Sequence, residues 1–351
     1  MRNLVEKTWP ELAPLWPEFF DDNACATPYQ SYEFLTLTGK GKPQRKDPFR
    51  LIGVKELNLV LYKDDEAIAI APLLLKKKRG KHIVYFRGHF TTASNLDFLY
   101  KPGWTCDDFR FLMDGIRERL GNVSFLFDRI CEKTMTFRYM KDYFTECRIE
   151  QHECVSIPIP SDYDDWLRGL RKSCRRNIVR HINRLERENL NWRVEFYQGD
   201  AIDANTYKKM MAVYANRFLV KNNFRFGALT KLVTKILLGI LMRDKVTRFL
   251  NDCEASFHGV LFLNDRVAAF TSGLICRDRR IAFCRLAMNT KLAQYGPGVV
   301  LLSSTMKHII EQNKKGLLHV EQMDLSEGTG GGMSYKYAFG GVGYYRYDFN
   351  Q

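Results

Sequence analysis

A pattern of strands and one helix that occurs twice is the strongest constraint on how this chain folds. Residues 258–325 read as three consecutive strands, a glycine-containing connection, a helix and a fourth strand, and residues 51–127 repeat that order with little residue identity. A helix inserted between the third and fourth strands is typical of α/β units. The sequence therefore predicts an α/β fold with mixed sheets, organised as two similar lobes at residues 1–153 and 154–351.

The second copy carries two glycines where its third strand gives way to its helix. Gly296 and Gly298 flank Pro297 at this junction. Glycines there let main-chain N–H groups approach an anion that also feels the positive end of the helix dipole, so a phosphate or pyrophosphate fits. A simple turn before a helix is the other interpretation. The first copy has Asp107 at this place, which repels phosphate, so the second lobe is the better ligand site.

The charge of the chain favours an acidic partner. Its formal net charge is +14, and the candidate partners are a phosphorylated cofactor, an acidic carrier protein, RNA or an anionic membrane surface. Nine cysteines without a CxxC pair, and a start unlike a signal peptide, predict reduced thiols in the cytoplasm. Residues 229–242 are too short to span a bilayer and are expected to form a buried amphipathic helix; the alternative is a helix peripheral to the inner membrane surface.

A basic helix is predicted at residues 168–188. Its apolar residues share one face and its cations spread over the others, with Arg175 and Arg176 as the predicted substrate-binding residues. The helix either binds an anion, such as a nucleotide phosphate, RNA or a lipid headgroup, or presents a solvated face offset by Glu186 and Glu188.

Five segments in this order resemble the GNAT-superfamily acyltransferases of the cellulose-biosynthesis CelD-like type, which are similar in architecture to the FemABX aminoacyl transferases. They are spread over most of the chain, at residues 27–31, 67–73, 170–188, 295–298, and 323–325 with 335–336. The resemblance implies two tandem GNAT-like lobes and acyl transfer from acyl-CoA, most often acetyl-CoA, as co-substrate. The implied acceptor is a small-molecule or carrier-linked amine, such as an amino sugar used in polysaccharide or envelope synthesis.

The resemblance also implies a loop that binds the pyrophosphate of CoA. Its nearest match here has the glutamine one residue too close to the glycines, and its proline removes one N–H. The cofactor-binding residues expected on this basis are Gln294, Tyr295, Gly296, Gly298 and Val299, with Arg285 on the preceding strand adding positive charge.

Direct acyl transfer needs a neutral amine, a donor for the carbonyl oxyanion and an acid for the departing thiolate. Asp324 and Glu327, at the end of a predicted strand, are the expected bases or ligands of the amine. Tyr335 is the expected acid, and Lys336 is expected to hold a substrate phosphate or carboxylate. The histidines show no metal-ligand spacing, so no metal site is expected.

Two other functions stay open at this stage. The arginine-rich helix and the net charge favour aminoacyl transfer from charged tRNA, as in FemABX-like enzymes, and only this alternative requires RNA. The imperfect loop at residues 294–298 favours a degenerate, non-catalytic GNAT-like module that binds a partner without turnover.

Overall fold

The computed structural model describes residues 1–22, 27–39, 53–89, 91, 93, 95–221, 229–328 and 332–351. The chain divides into two compact units. Unit 1 comprises Met1–Glu153 and Tyr344–Gln351, and unit 2 comprises Cys154–Gly343. The last residues, which the sequence assigned to the second lobe, therefore lie in unit 1. No helix in the described part of the chain is both long and apolar enough to cross a bilayer.

Thirteen strands are formed by the described residues. They are β1 Arg2–Glu6, β2 Val54–Lys63, β3 Glu66–Lys78, β4 Lys81–Phe86, β5 Leu99–Tyr100, β6 Val123–Cys131, β7 Arg148–Pro158, β8 Trp192–Gln198, β9 Ser256–Leu263, β10 Arg266–Ile275, β11 Arg280–Met288, β12 Gln322–Glu327 and β13 Val342–Asn350.

Twelve α-helices are formed by the same part of the chain. They are α1 Trp9–Leu12, α2 Trp16–Asp22, α3 Tyr32–Gly39, α4 Cys106–Leu120, α5 Met135–Tyr143, α6 Tyr163–Gly169, α7 Lys172–Arg187, α8 Ala204–Lys221, α9 Leu229–Arg243, α10 Lys245–Asp252, α11 Pro297–Lys314 and α12 Gly332–Ala338. Short 3-10 helices occupy Pro28–Gln30 and Thr290–Tyr295.

Unit 1 contains a mixed sheet of strand order β1-β2-β3-β4-β6-β13, with β5 added beside β3. The β2-β3-β4 meander is antiparallel, and β6 is parallel to β4, with His82 opposite Val123. Helix α4 makes the connection from this meander to β6, because a parallel strand needs a crossover segment. The sequence predicted this order of elements correctly.

Unit 2 repeats that topology, with strand order β8-β9-β10-β11-β12-β7. Strands β8 to β11 are antiparallel, β12 is parallel to β11, and α11 makes the crossover. The sixth strand, β7, is antiparallel to β12 and enters from the end of unit 1 in the chain. The prediction of an α/β fold built from two similar lobes is thus confirmed.

Several local expectations differ from the structure. The predicted basic helix begins at Lys172 rather than at residue 168, because the chain is extended at Leu170 and Arg171 after α6. The fourth strand of the second copy, which apolar residues predict from residue 317, begins only at Gln322, and α12 lies between it and the last strand. Glycines at residues 328 and 330–332 predict a flexible loop, which lies largely outside the described residues because these omit 329–331.

A buried polar cluster lies on the α8 side of the unit 2 sheet. Arg285 donates to Thr247 Oγ1 at 2.7 Å, and Tyr207 donates its hydroxyl proton to the Thr247 carbonyl at 2.6 Å. His258 Nδ1 lies 2.6 Å from Ser272 Oγ. Burial lowers the pKa of His258 to about 4, so this imidazole is neutral in the folded protein at neutral pH.

Acidification is therefore expected to destabilise unit 2 through His258. The unfolded chain takes up a proton at this residue near pH 6.5, whereas the folded chain does so only near pH 4. Because the unfolded state binds more protons in that window, the free energy of unfolding falls as the pH falls, by up to about 3 kcal/mol. Urea unfolding across the window checks this against His258→Gln, which is expected to lose less stability. Equal losses in both proteins would exclude His258 as the source.

Candidate functional site

Two parallel strands of unit 2 separate at their carboxyl ends. Strands β11 and β12 pair at three positions, the last of them Ala282 opposite Asp324. Within residues 280–288 and 322–327, all of which the structure describes, pairing stops there although both strands continue. A β-bulge leaves Cys284 as the extra residue of β11 against β10. The carboxyl ends of parallel strands are where open α/β sheets bind ligands, so this gap is a natural site.

Helix α7 packs against α11, the helix that follows β11 in the chain. Its apolar residues Cys174 and Ile178 pack into one buried cluster with Leu302 and Met306 of α11, and Leu185 packs beside Val300 and Leu301 in another. The opposite side of α7 presents Lys172, Arg176 and Arg180, which are spaced by four residues and therefore share one face. All three are exposed, and none forms an ion pair with a described carboxylate.

The turn at Gly296 is partly covered by α7. Gly296 adopts a left-handed conformation, with φ of 57°, and a Cβ atom there would lie 2.4 Å from the His181 ring. Arg184 donates to the Gln294 carbonyl at 3.0 Å, and its guanidinium lies over the Tyr295 ring. Burial lowers the pKa of His181, and nearby arginines lower it further. The carbonyl of Gln294, the Tyr295 ring and Gly296 thus contact α7, although Gln294 as a whole is exposed.

The first turn of α11 offers fewer main-chain donors than the glycines suggested. Pro297 has no N–H, and Val299 and Val300 donate theirs to the Gly296 carbonyl at 2.9 and 3.1 Å. Gly298 is exposed, and a Cβ atom there would meet nothing closer than 3.9 Å. Its N–H is the one amide of this turn without a hydrogen bond among the described residues. An anion at this turn therefore needs additional positive groups.

A cavity of about 600 Å³ provides these groups. It lies within unit 2 between α7, the start of α11 and α12. The lining residues are Ser173, Cys174, Arg176, Asn177 and Arg180 of α7, Val299 of α11, and Tyr335, Ala338 and Phe339 from α12 and the residue after it. Two guanidinium groups that form no ion pair with a described carboxylate thus share a cavity with an exposed phenol and apolar side chains. Such a cavity can hold an elongated ligand that is anionic at one end.

Tyr335 is the residue of the cavity suited to proton transfer. Its side chain is 40% exposed, and burial of the rest raises its pKa, while the charge of Arg217 opposes that rise. Arg217 itself donates to the Leu286 carbonyl on β11 at 2.8 Å. The phenol therefore remains protonated at neutral pH, with a cation near enough to stabilise the phenolate once the proton leaves.

Asp324 and Lys336 hold the end of β12 rather than facing the cavity. Asp324 is buried and accepts from Arg280 at 3.0 Å and from the Ser326 N–H at 2.7 Å. The Lys336 ammonium, 3% exposed, donates to the carbonyls of Leu325 and Ser326 at 2.7 Å and of Glu327 at 2.9 Å. Both fix a turn in which Ser326 has a φ of 56°. They position Tyr335, and Lys336 has no N–H left for a substrate.

The other predicted site residues lie apart from the cavity lining. Arg285 points to the α8 side of the sheet and bonds Thr247, because the bulge at Cys284 reverses the alternation of β11. Arg175 donates to the Arg168 carbonyl at 3.0 Å. Glu327 is partly buried where β12 ends. Of the predicted residues, the structure brings together Arg176, Val299 and Tyr335.

Arg180 also lines the cavity, although the sequence did not single it out among the arginines of this helix. It donates to Asn177 Oδ1 at 2.6 Å. The signal for it in the sequence was its spacing of four residues from Arg176, on the face opposite Cys174 and Ile178. Composition alone showed many arginines in this helix but not which two of them line one cavity.

One group of three residues whose side chains can bind metal ions occurs in the described part of unit 1. Atoms of Glu150, His152 and Asp348 lie within 4.8 Å of one another. Each is already engaged, since Arg148 pairs with Glu150, and His152 Nε2 lies 2.9 Å from Asp348 Oδ2. Asp348 also accepts from the Arg129 N–H at 2.7 Å. We assign no metal to this group.

Comparison with known proteins agrees with this architecture. Residues 172–337 match the family model described as an acetyltransferase (GNAT) domain, and they contain every residue of the cavity lining except Ala338 and Phe339. No curated protein matches the sequence significantly. The similar solved structures include a C-terminal domain ascribed to a lysylphosphatidylglycerol synthetase from Agrobacterium fabrum, with 12% identity, coverage of 98% of this chain and 93% of that chain, and a TM-score of 0.53. L-PGS from Bacillus licheniformis has 12% identity, coverage of 97% of this chain and 91% of that chain, and a TM-score of 0.52. A tandem GNAT protein from the clavulanic acid biosynthesis pathway has 10% identity, coverage of 100% of this chain and 98% of that chain, and a TM-score of 0.50.

These similarities define the fold of the chain as that of tandem GNAT proteins, in which unit 2 carries the matched acetyltransferase domain. The expected resemblance to GNAT proteins is thereby confirmed at the level of the domain. The residues that line the cavity in this chain give the fold its chemistry, because fold alone does not determine function.

Proposed function

We propose that unit 2 transfers an acyl group from acyl-CoA, with acetyl-CoA as the first candidate, to an amine acceptor. The observation that carries the proposal is the cavity lined by Arg176 and Arg180, by Val299 in the first turn of α11, and by Tyr335. A CoA thioester is anionic at its nucleotide end and neutral at its thioester end. The cavity lining likewise combines guanidinium groups with an uncharged phenol and apolar side chains.

The donor binds with its pyrophosphate against α7 and the start of α11. Arg176, Arg180 and the N–H of Gly298 supply the positive groups there, and the helix dipole adds to them. The guanidinium groups compensate for the amide that Pro297 removes. The pantetheine arm then runs between the separated ends of β11 and β12, where β11 main-chain groups no longer pair with β12.

Acyl transfer follows from this placement. The amine nitrogen attacks the thioester carbonyl carbon, and main-chain N–H groups on the free edge of β11 stabilise the oxyanion. The C–N bond forms, the C–S bond breaks, and Tyr335 gives its proton to the departing thiolate. Arg217 stabilises the phenolate, which recovers a proton from the nitrogen of the new amide.

The acceptor is a small-molecule or carrier-linked amine. An amino sugar used in polysaccharide or envelope synthesis is the candidate suggested by the CelD-like resemblance of the sequence. Mass spectrometry of reactions with acetyl-CoA and a panel of amino sugars and other amines identifies it by the added acyl mass.

Removing the two cavity arginines is expected to weaken donor binding strongly. Each guanidinium–phosphate interaction contributes about 1.4 kcal/mol to binding, so Arg176→Ala and Arg180→Ala each raise the Kd of CoA about ten-fold, and the double variant about 100-fold. Isothermal titration calorimetry with CoA measures these values. Arg187→Ala is the matched control, because Arg187 is exposed on the same helix but does not line the cavity.

The same titration separates this proposal from its main rival. The row formed by Lys172, Arg176 and Arg180 also suits the phosphates of a charged tRNA. Binding of CoA that the double variant loses and Arg187→Ala retains supports the acyl-CoA donor. A wild-type protein that does not bind CoA but binds tRNA, with an affinity that falls steeply with salt, would contradict the acyl-CoA donor and favour aminoacyl transfer from charged tRNA. Absence of both interactions would leave a non-catalytic module.

A further inference from the structure

Helix α9 of unit 2 is apolar on both its inner and its outer side. Leu241 is buried, and Leu238 and Met242 pack on the cluster formed with α8 and the sheet. On the outer side, Leu232, Ile236 and Ile240 are 54%, 55% and 49% exposed. A spacing of four residues places these three on one face, where a surface helix ordinarily carries polar residues. We call them the apolar stripe.

The charges of α9 indicate what covers this stripe. The helix contains Lys231, Lys235 and Arg243 and neither Asp nor Glu, within a chain of net charge +14. Lys235 is exposed and immediately precedes Ile236, and Arg243 is exposed at the end of the helix. Cations beside an aliphatic stripe are typical of helices that lie in the headgroup region of an anionic bilayer.

A second copy of the chain fits this surface less well. A symmetric contact through α9 would bring the same cations together, with no carboxylate on either helix to pair with them. The stripe also lacks the aromatic residues that dominate protein interfaces. The 15 residues of α9 extend over roughly 22 Å, which is too short to cross a membrane but sufficient to lie along one.

We propose that α9 docks unit 2 on an anionic lipid membrane, with Leu232, Ile236 and Ile240 inserted among the acyl chains and the basic residues at the headgroups. The proposal stands on the exposure and charge of α9 alone and does not depend on the acyl-transfer reaction. It assigns a partner to a surface that the cavity and its chemistry do not use.

Vesicle co-sedimentation with the full chain tests the docking. Vesicles of phosphatidylglycerol and phosphatidylcholine are compared with vesicles of phosphatidylcholine alone. Wild-type protein is expected to bind the anionic vesicles, Ile236→Asp to bind at least about ten-fold more weakly, and Lys235→Glu to be weakened as well. Leu317→Asp is the matched control, because Leu317 is 68% exposed and lies outside α9.

The outcomes divide cleanly. Loss of binding in Ile236→Asp and Lys235→Glu, with an unchanged thermal unfolding midpoint and retained binding by Leu317→Asp, supports the proposal. Wild-type protein that does not bind anionic vesicles, or Ile236→Asp that binds as well as wild type, overturns it. A wild-type dimer that Ile236→Asp converts to a monomer, measured by light scattering, also overturns it and assigns the stripe to a second copy.

Discussion

The variant Tyr335→Phe is expected to lower kcat about 100- to 10,000-fold while leaving the affinity for acyl-CoA nearly unchanged. The phenol lines the cavity and has a raised pKa, so it is protonated and ready to act when the thiolate departs. Phenylalanine preserves the shape of the side chain but has no proton to give, and the thiolate then leaves without acid assistance. General acid catalysis contributes rate factors of this size.

Steady-state kinetics with acetyl-CoA and the acceptor measures the fall in kcat, and calorimetric titration with CoA measures whether the affinity stays unchanged. Tyr337→Phe is the matched control, because Tyr337 lies on the same short helix but does not line the cavity. It is expected to retain kcat within about two-fold. If Tyr335→Phe also retained kcat to that extent, Tyr335 would not be the acid. A loss shared equally by both variants would point to damage to α12 instead.

The second large effect is on stability. Lys336→Met is expected to lower the free energy of unfolding by about 3–5 kcal/mol, because buried main-chain acceptors left without their donor cost about 1–3 kcal/mol each. The variant removes three hydrogen bonds and leaves the carbonyls of Leu325, Ser326 and Glu327 at the end of β12 without their donor. These carbonyls belong to a turn with a left-handed residue, so the chain leading to Tyr335 also loosens.

Urea unfolding followed by tryptophan fluorescence measures this change. Lys291→Met serves as the control, since Lys291 is exposed on the 3-10 helix before α11, and it is expected to alter stability by less than about 0.5 kcal/mol. Comparable stability of Lys336→Met and wild type would show that the buried ammonium is not needed to hold β12, and the positioning role would be withdrawn.

The fold was largely accessible from the sequence because its signals are local. Alternating residues and tight turns located β2, β3 and β4, and their equivalents β9, β10 and β11, while helical spacing located α4 and α11. Strand β1 was missed, because it is five residues long and its partner in β2 is distant in the chain, with Leu4 opposite Leu61. The sixth strand of each sheet likewise depends on pairing between segments far apart in the sequence.

The site was less accessible because side-chain direction depends on features that composition does not show. Strict alternation along β11 would place Arg285 on the same face as Ile281 and Phe283, but the bulge at Cys284 turns it to the opposite face. Lys336 resembled a substrate ligand by its chemistry, yet its ammonium is buried against the main chain. Arg180 became recognisable only once the packing of α7 on α11 fixed which face of that helix meets the cavity.

The most direct measurement of the central claim is a crystal structure of the protein with acetyl-CoA. We predict pyrophosphate density beside Arg176, Arg180 and the N–H of Gly298, with the thioester sulfur within reach of the Tyr335 hydroxyl. Ordered acetyl-CoA bound elsewhere, with the cavity between α7, α11 and α12 left unoccupied, would contradict this claim.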